Sequence, residues 1–181
     1  MLATVDQVKD RLKISSPQYD DQLEIILGVA QSAVEGYCCR AFEAQVGRVD
    51  RFDIIDKTLM TLSLPLYPVS SISSVKENGS TVDSTEYYVR QNKEVVLLNR
   101  CWLYGNGTVE VTYSGGYTSD TVPNDLLGVI IDVAASVFRS SFDNVTSERI
   151  GDMSISYSTT VPAVVSNPIY QYTLSKYRRC F

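Results

Sequence analysis

The chain has 181 residues and not one histidine. That absence excludes Ser-His-Asp and Cys-His nucleophile arrangements, His-ligated zinc and acid/base work by imidazole. Carboxylates, lysine, tyrosine and thiols are what remain for chemistry. Long apolar runs are missing too. Asp6 and Asp10 interrupt the opening "MLATVDQVKDRLKI" where a signal peptide needs an unbroken apolar core, and no later stretch reaches the length of a membrane span. The expectation is a cytoplasmic protein where it is made. Basic charge is scarce, with 16 Lys and Arg against 21 Asp and Glu and a formal charge of -5. Such a chain repels a phosphate backbone and does not bind it through a broad basic face.

The four cysteines, Cys38, Cys39, Cys101 and Cys180, form no CxxC pair and no zinc-ligand spacing. Cys38 and Cys39 are neighbours, whose bridging would strain the ring, so reduced thiols are expected. No G-x-G-x-x-G and no G-x-x-x-x-G-K-[ST] string occurs; the glycines of "YGNGTV" (Tyr104 to Val109) precede strand-like residues and read as a hairpin turn. Asp20 and Asp21 are paired carboxylates, but they open a helix, where acidic residues complement the dipole. Neither a cofactor, a metal nor enzymatic activity is expected.

What is present is a core. The 44% hydrophobic content suits one ordinary domain with an appended tail. Thr4 and Gln7 have capping-box spacing, and Val5, Val8 and Leu12 then share a helical face. After "SSPQYDD", Leu23, Ile26, Leu27, Ala30, Ala33, Val34, Tyr37 and Cys38 recur at three- and four-residue steps, which predicts a longer core-facing helix. From Ala44 to Tyr117 the period becomes two, in "TLMTLSL", "VSSISSV", "EYYV", "EVVLL" and "TVEVTYS". This predicts one small antiparallel sheet between helices, with Pro65 and Pro68 marking an edge or a crossing between strands.

The sheet runs into Gly115 and Gly116, which suit positive φ or close backbone approach, and Pro123 then suits a first helical turn. The helix that follows carries no charge between Asp132 and Arg139. Its residues Leu127, Ile130, Ile131, Ala134 and Phe138 are candidates for burial, either within the subunit or between subunits. Beyond it the chain is rich in Ser and Thr, with Ile150, Met153, Ile155 and Tyr157 as alternating anchors. Asn167 and Pro168 then open a short helix whose Tyr170, Leu174 and Tyr177 share a face. The aromatic tail ends in Arg178 and Arg179. Two readings stay open for it: packing back on the domain, or an exposed binding arm whose loss costs the free subunit little.

The order of these pieces resembles the head-tail connector, or head completion adaptor, proteins of tailed bacteriophages. The resemblance covers nearly the whole chain and rests on "TVDQVKDRLKI", "DDQLEIILGVAQSAVEGYCCRAF", "VEVTYSGGYTSDTVPNDLLGVIIDVAASVF", "SERIGDMSISYS" and "LSKYRRCF". The glycine-tyrosine strand end feeding a proline-led helix, followed by "RIGDMSISY", is its most specific part. The β-rich middle is longer than in the smallest members.

The resemblance implies an α+β fold: a helical core of three to four helices over residues 1–140, a small antiparallel sheet inserted at about 44–117, and an extended C-terminal arm over 141–181. It also implies a structural virion protein of the neck, assembled in the host cytoplasm. Such a protein forms a homo-oligomeric ring, dodecameric in the particle, under the portal protein; it extends the channel through which DNA passes without specific binding, and it receives the stopper or tail completion protein. Carried onto this chain, the portal-docking candidates are Ile150, Gly151, Asp152, Met153, Ser154, Ile155, Ser156 and Tyr157, with Tyr177, Arg178 and Arg179 behind them. Alternation in the first group fits equally a strand of the subunit's own sheet. A different class of function stays open as well: a β-rich binding module, for example for carbohydrate, with Tyr87, Tyr88, Trp102 and Tyr104 as stacking surfaces.

Overall fold

Thr4 starts the first helix with the two bonds its spacing to Gln7 predicts. The Gln7 N–H donates to Thr4 Oγ1 at 3.3 Å, and the Thr4 N–H donates to Gln7 Oε1 at 2.9 Å. Donors left unpaired by helix geometry are thus satisfied reciprocally. The structure, a computed structural model, describes residues 1–142, 147–150, 153–156 and 167–179. Along the chain run α1 (Val5–Leu12), a 3-10 turn (Pro17–Tyr19), α2 (Asp20–Cys38), β1 (Gln45–Ile54), β2 (Thr61–Ser63), β3 (Val69–Glu77), β4 (Ser80–Thr81), β5 (Tyr87–Arg90), β6 (Glu94–Leu97) and β7 (Gly105–Gly115). They are followed by α3 (Asn124–Phe142), β8 (Ser147–Ile150), β9 (Met153–Ser156) and α4 (Pro168–Ser175). These elements divide into a helical unit, Met1–Arg40 with Thr118–Phe181, and a β unit, Ala41–Tyr117. The fold class is α+β.

In the helical unit α2 buries Leu23, Ile26, Leu27, Ala30, Val34 and Cys38, the face its three- and four-residue periodicity predicts. Against it α3 buries Leu126, Val129, Ile130, Val133, Ala134 and Phe138. Each fully buried aliphatic side chain stabilises the unit by roughly 1.5–3 kcal/mol. Gln31 is the polar exception on the buried face of α2, and its Oε1 accepts the Leu2 N–H at 3.0 Å, which ties the N-terminus to the helix. The ring of Tyr19 meets Phe138 edge-on, with centroids 5.5 Å apart. Left-handed Cys39 (φ 55) ends α2, where the Arg40 N–H donates to the Glu35 carbonyl at 3.1 Å. This closes carbonyls that the last turn leaves open.

The β unit holds two antiparallel sheets where the periodicity alone predicted one. The larger has the order β1-β7-β3-β4 and the smaller β2-β6-β5. Alternation reports which face of a strand is apolar but not which strand it pairs with, so the division is invisible locally. "LPLYPV" is the crossing between the sheets, joining β2 of one to β3 of the other. Val109, Val111 and Tyr113 of β7 are buried with Val75 of β3, and Ile54, Leu62, Leu64, Leu66, Val69, Val82, Val95, Leu97 and Trp102 complete the core. "NGS" forms the expected tight turn: Asn78 (φ 50) and Gly79 (φ 81) are both left-handed between paired Glu77 and Ser80. "YGNG" corrects another expectation, because Gly105 opens β7 opposite Ile54 and no hairpin turn lies there. Its Gly107 N–H donates to Asp53 Oδ1 at 2.6 Å, next to a register shift between Phe52 and Ile54.

The double glycine has a steric reason. A Cβ on Gly115 would lie 2.9 Å from the Pro68 carbonyl oxygen, and one on Gly116 would lie 2.7 Å from that of Glu43. Gly116 also sits at φ +96, where L side chains are strained. The chain leaves the sheet through this pair. The Leu127 N–H then donates to the Pro123 carbonyl at 2.9 Å, so the proline immediately precedes the first helical residue of α3.

Candidate functional site

The chain's end is where basic and aromatic residues gather, and the structure lays it on the helical unit. Asn167 caps α4 by accepting the Ile169 N–H at 3.0 Å, and Pro168 takes the first turn, as the sequence predicts. Leu174 is fully buried, and its carbonyl faces the buried Cys38 thiol at 3.7 Å. Tyr170 Oη donates to Asp132 Oδ2 at 3.2 Å, while Arg11 of α1 donates to the other oxygen of that carboxylate at 2.5 Å. Asp132 therefore joins three helices. Past α4, Tyr177 Oη donates to Asp125 Oδ1 at 2.5 Å, Lys176 Nζ lies 3.4 Å from Asp125 Oδ2, and the Arg179 N–H donates to the Cys38 carbonyl at 2.9 Å. The Arg178 guanidinium stands 5.6 Å from the ring centre of Tyr37. For residues 167–179 the structure shows packing back on the helical unit.

These contacts have electrostatic signatures. The Tyr177 hydroxyl, then the Leu126 N–H and Lys176, hold the Asp125 carboxyl below its ordinary range. Partial burial, then the neighbouring Asp132 charge, push the Tyr170 phenol up. Burial raises the Cys38 thiol to about 11, so it stays protonated and a poor nucleophile. Cys39 and Cys101 are unbridged, and no group of three or more metal-ligating side chains occurs among the described residues.

The first docking group falls on a hairpin. Ile150 ends β8, while Met153, Ser154, Ile155 and Ser156 make β9; Ile150 pairs with Met153 and Ser147 with Ser156. β9 thus pairs with β8 and, among the described residues, with neither of the larger sheets. Gly151, Asp152 and Tyr157 lie outside the described residues. The packing candidates on α3 divide as well. Ile130, Ala134 and Phe138 are buried in the subunit itself, whereas Leu127 and Ile131 remain partly exposed. Ile131 lines a cleft of about 370 Å³ with Gln7, Asp10, Arg11, Gly128 and Asp132.

The β unit offers little for ligand chemistry. Trp102, one of the four stacking candidates, is 2% exposed and donates its indole N–H to the Met60 carbonyl at 3.1 Å. It belongs to the core, so no stacking platform includes it. Tyr87 is half-buried, while Tyr88 and Tyr104 are exposed. On the outer face of the larger sheet, Glu110 accepts from Arg51 at 3.0 Å and from Lys76 at 3.4 Å, which holds its carboxyl low, Arg51 being the main cause. A cleft of about 360 Å³ beside them is lined also by Gly79, Gly107 and Thr108. No helix among the described residues is long and apolar enough to cross a membrane.

Two features escaped the sequence. The Asp125 and Asp132 anchors lie 52 and 38 residues from the tyrosines they hold, and no local pattern links such positions. The outward line of α2, Ile25, Val29, Ser32 and Gly36, carries no charge. Its spacing is helical, and marking the residues opposite the buried face would have found it.

No curated protein matches the chain. Solved structures do. One is a chain from the neck of an empty gene transfer agent particle, computed with C6 symmetry: TM-score 0.62, 16% identity, 98% of this chain and 89% of that one covered. Another comes from the neck of the native particle, computed with C12 symmetry: TM-score 0.60, 17% identity, 98% and 88% covered. A third belongs to the virion of the native gene transfer agent particle, with a TM-score of 0.57, 16% identity and coverage of 98% and 89%. At these identities the likeness is one of fold. The sequence itself is matched over residues 1–173 by the family model for the head completion protein, and the chain belongs to that family.

Proposed function

We propose that this protein is a head-tail connector that forms a homo-oligomeric ring under the portal of a phage-like particle, extends the DNA channel and presents the surface on which the stopper or tail is mounted. The observation that carries this reading is the head completion family match over residues 1–173. The fold shared with neck chains from particles treated with six- and twelve-fold symmetry supports a ring, because a closed ring repeats one heterologous interface. The role is structural and needs no catalysis.

In this reading the segment 141–181 is the docking arm. The hairpin bearing Ile150 and Met153 to Ser156 is the first part to meet the portal, since two short strands alone are marginally stable in water and gain from a third. Tyr177, Arg178 and Arg179 stand behind it: Tyr177, held by Asp125, positions the pair, and exposed Arg178 with Arg179 supplies forked contacts of the kind that concentrate interface energy. Packing between subunits uses the exposed parts of Leu127 and Ile131, while Ile130, Ala134 and Phe138 support them from within.

Interrupting the gene in a strain that produces the particle tests this. The expected result is DNA-filled heads without tails, restored by the wild-type gene in trans, together with loss of the chain from purified necks. Tailed, infectious particles in the absence of the protein would overturn the reading.

A further inference from the structure

Two faces of the helical unit are apolar, exposed and opposite in charge. On α2 the residues farthest from the core are Ile25, 70% exposed, and Val29, 48% exposed, followed one turn on by Ser32 and then Gly36. A surface helix normally puts its charges on that line. Here Asp21 stands on it one turn before Ile25, the line from Ile25 onward is uncharged with Glu24 and Glu35 to one side, and the helix has no Lys or Arg anywhere from Asp20 to Cys38. On α4 the outward pair is Ile169, 73% exposed, and Tyr172, 74% exposed, three residues apart on the side away from buried Leu174. Lys176 follows on the same side, its Nζ 5.6 Å from the Tyr172 ring centre, and Arg178 is exposed beyond it. From Asn167 to Arg179 there is no Asp or Glu.

We infer that these faces bind each other between copies: the α4 face of one subunit, Ile169 and Tyr172 with Lys176, covers the α2 face of the next, Ile25 and Val29 with Glu24. This rests on the ring reading and names its interface. The occupant is a second copy because each face supplies what the other lacks. One brings two aliphatic side chains on a helix whose own charges are all acidic, the other an aliphatic-aromatic pair on a segment whose own charges are all basic, although Lys176 is shared with Asp125 of α3 and Arg178 with the Tyr37 ring of α2; a mixed pairing avoids the like-charge contact that either face would make with itself. The two faces differ and belong to one unit, so the contact is heterologous and propagates from copy to copy, as a ring requires. Tyrosine beside a cation is also the composition that carries interface energy.

The test uses the full chain with either face spoiled: Ile25→Glu with Val29→Glu, or Ile169→Glu with Tyr172→Glu. All four positions are exposed, so circular dichroism and melting should match wild type. By sedimentation velocity over a concentration series, the wild type should associate, and each double variant should do so at least about tenfold more weakly. An equimolar mixture of the two variants should form a one-to-one pair and stop there, since each retains the face the other has lost. Glu24→Lys should weaken association, and so should Lys176→Ala, which leaves Asp125 paired with the Tyr177 hydroxyl. Double variants that associate like wild type overturn the inference, as does a mixture that stays monomeric or a wild type that is monomeric at every concentration. The ring reading stands or falls separately, on the symmetry of necks in purified particles.

Discussion

The hydroxyl of Tyr177 donates to Asp125 at 2.5 Å, across 52 residues of sequence, so the end of the chain is fastened to the first turn of α3. With Leu174 buried beneath α4 and the Arg179 N–H on the Cys38 carbonyl, the tail behaves as a strap on the helical unit. Against the expectation that losing the terminus costs the free subunit little, these contacts predict a measurable loss.

Tyr177→Phe is therefore expected to lower the melting temperature. A hydrogen bond to a charged group contributes about 1.5–3 kcal/mol, but the Asp125 side chain is 40% exposed, so about 1 kcal/mol is the better figure. For a chain of this size that is a drop of about 2–4 °C. Leu174→Ala, which removes a fully buried side chain, should cost about 2–5 kcal/mol. Thermal unfolding of both variants beside wild type checks the order; unchanged melting in both would show that the strap adds nothing.

The same contact predicts a dependence on acid. The folded-state pKa of Asp125 lies below the ordinary carboxylate value of about 3.9. Its contribution is therefore fully present above that value and lost as pH falls through the depressed one. The stability gap between wild type and Asp125→Asn should be constant from neutral pH to about pH 5 and should shrink below about pH 4. A gap that instead widened in acid would show that Asp125 is not held in its charged form.

Glycine positions separate steric need from mere presence. Gly116→Ala meets the Glu43 carbonyl at 2.7 Å and keeps an unfavourable φ, so a loss of about 2–4 kcal/mol is expected. Gly28→Ala, in the middle of α2 with nothing within 4 Å of the new carbon, should stabilise by about 0.5–1 kcal/mol. Denaturant unfolding of the two variants, with opposite signs expected, is the check.

What sequence reasoning reached and missed follows from the range of the interactions. The Thr4–Gln7 box, the buried line of α2, the Asn78-Gly79 turn and the Gly115-Gly116 exit are set within a few residues, and periodicity or turn chemistry reveals them. The division into two sheets depends on β7 lying between β1 and β3, partners dozens of residues away. Trp102 reads equally as a surface aromatic or a core one until that pairing encloses it. The strap escaped for the same reason, since Asp125 and Asp132 look like ordinary solvated helix charges until Tyr177 and Tyr170 arrive.

The last prediction concerns DNA. A channel wall that let packaged DNA slide should not hold phosphates, and the net charge of -5 gives mild repulsion. Local charge agrees with the total. Arg51 and Lys76, the cations on the outer face of the larger sheet, both engage Glu110, and Arg11 engages Asp132. Fluorescence anisotropy with a labelled duplex at physiological salt should thus show no binding at micromolar protein, the range in which general DNA-binding proteins already bind non-specifically. Glu110→Gln removes one negative charge and releases two cations, so it is the single substitution best placed to create weak, salt-sensitive binding. Micromolar affinity of the wild-type chain with a steep salt slope would instead mean that it grips phosphates, and the proposal of a passive DNA channel would have to be given up.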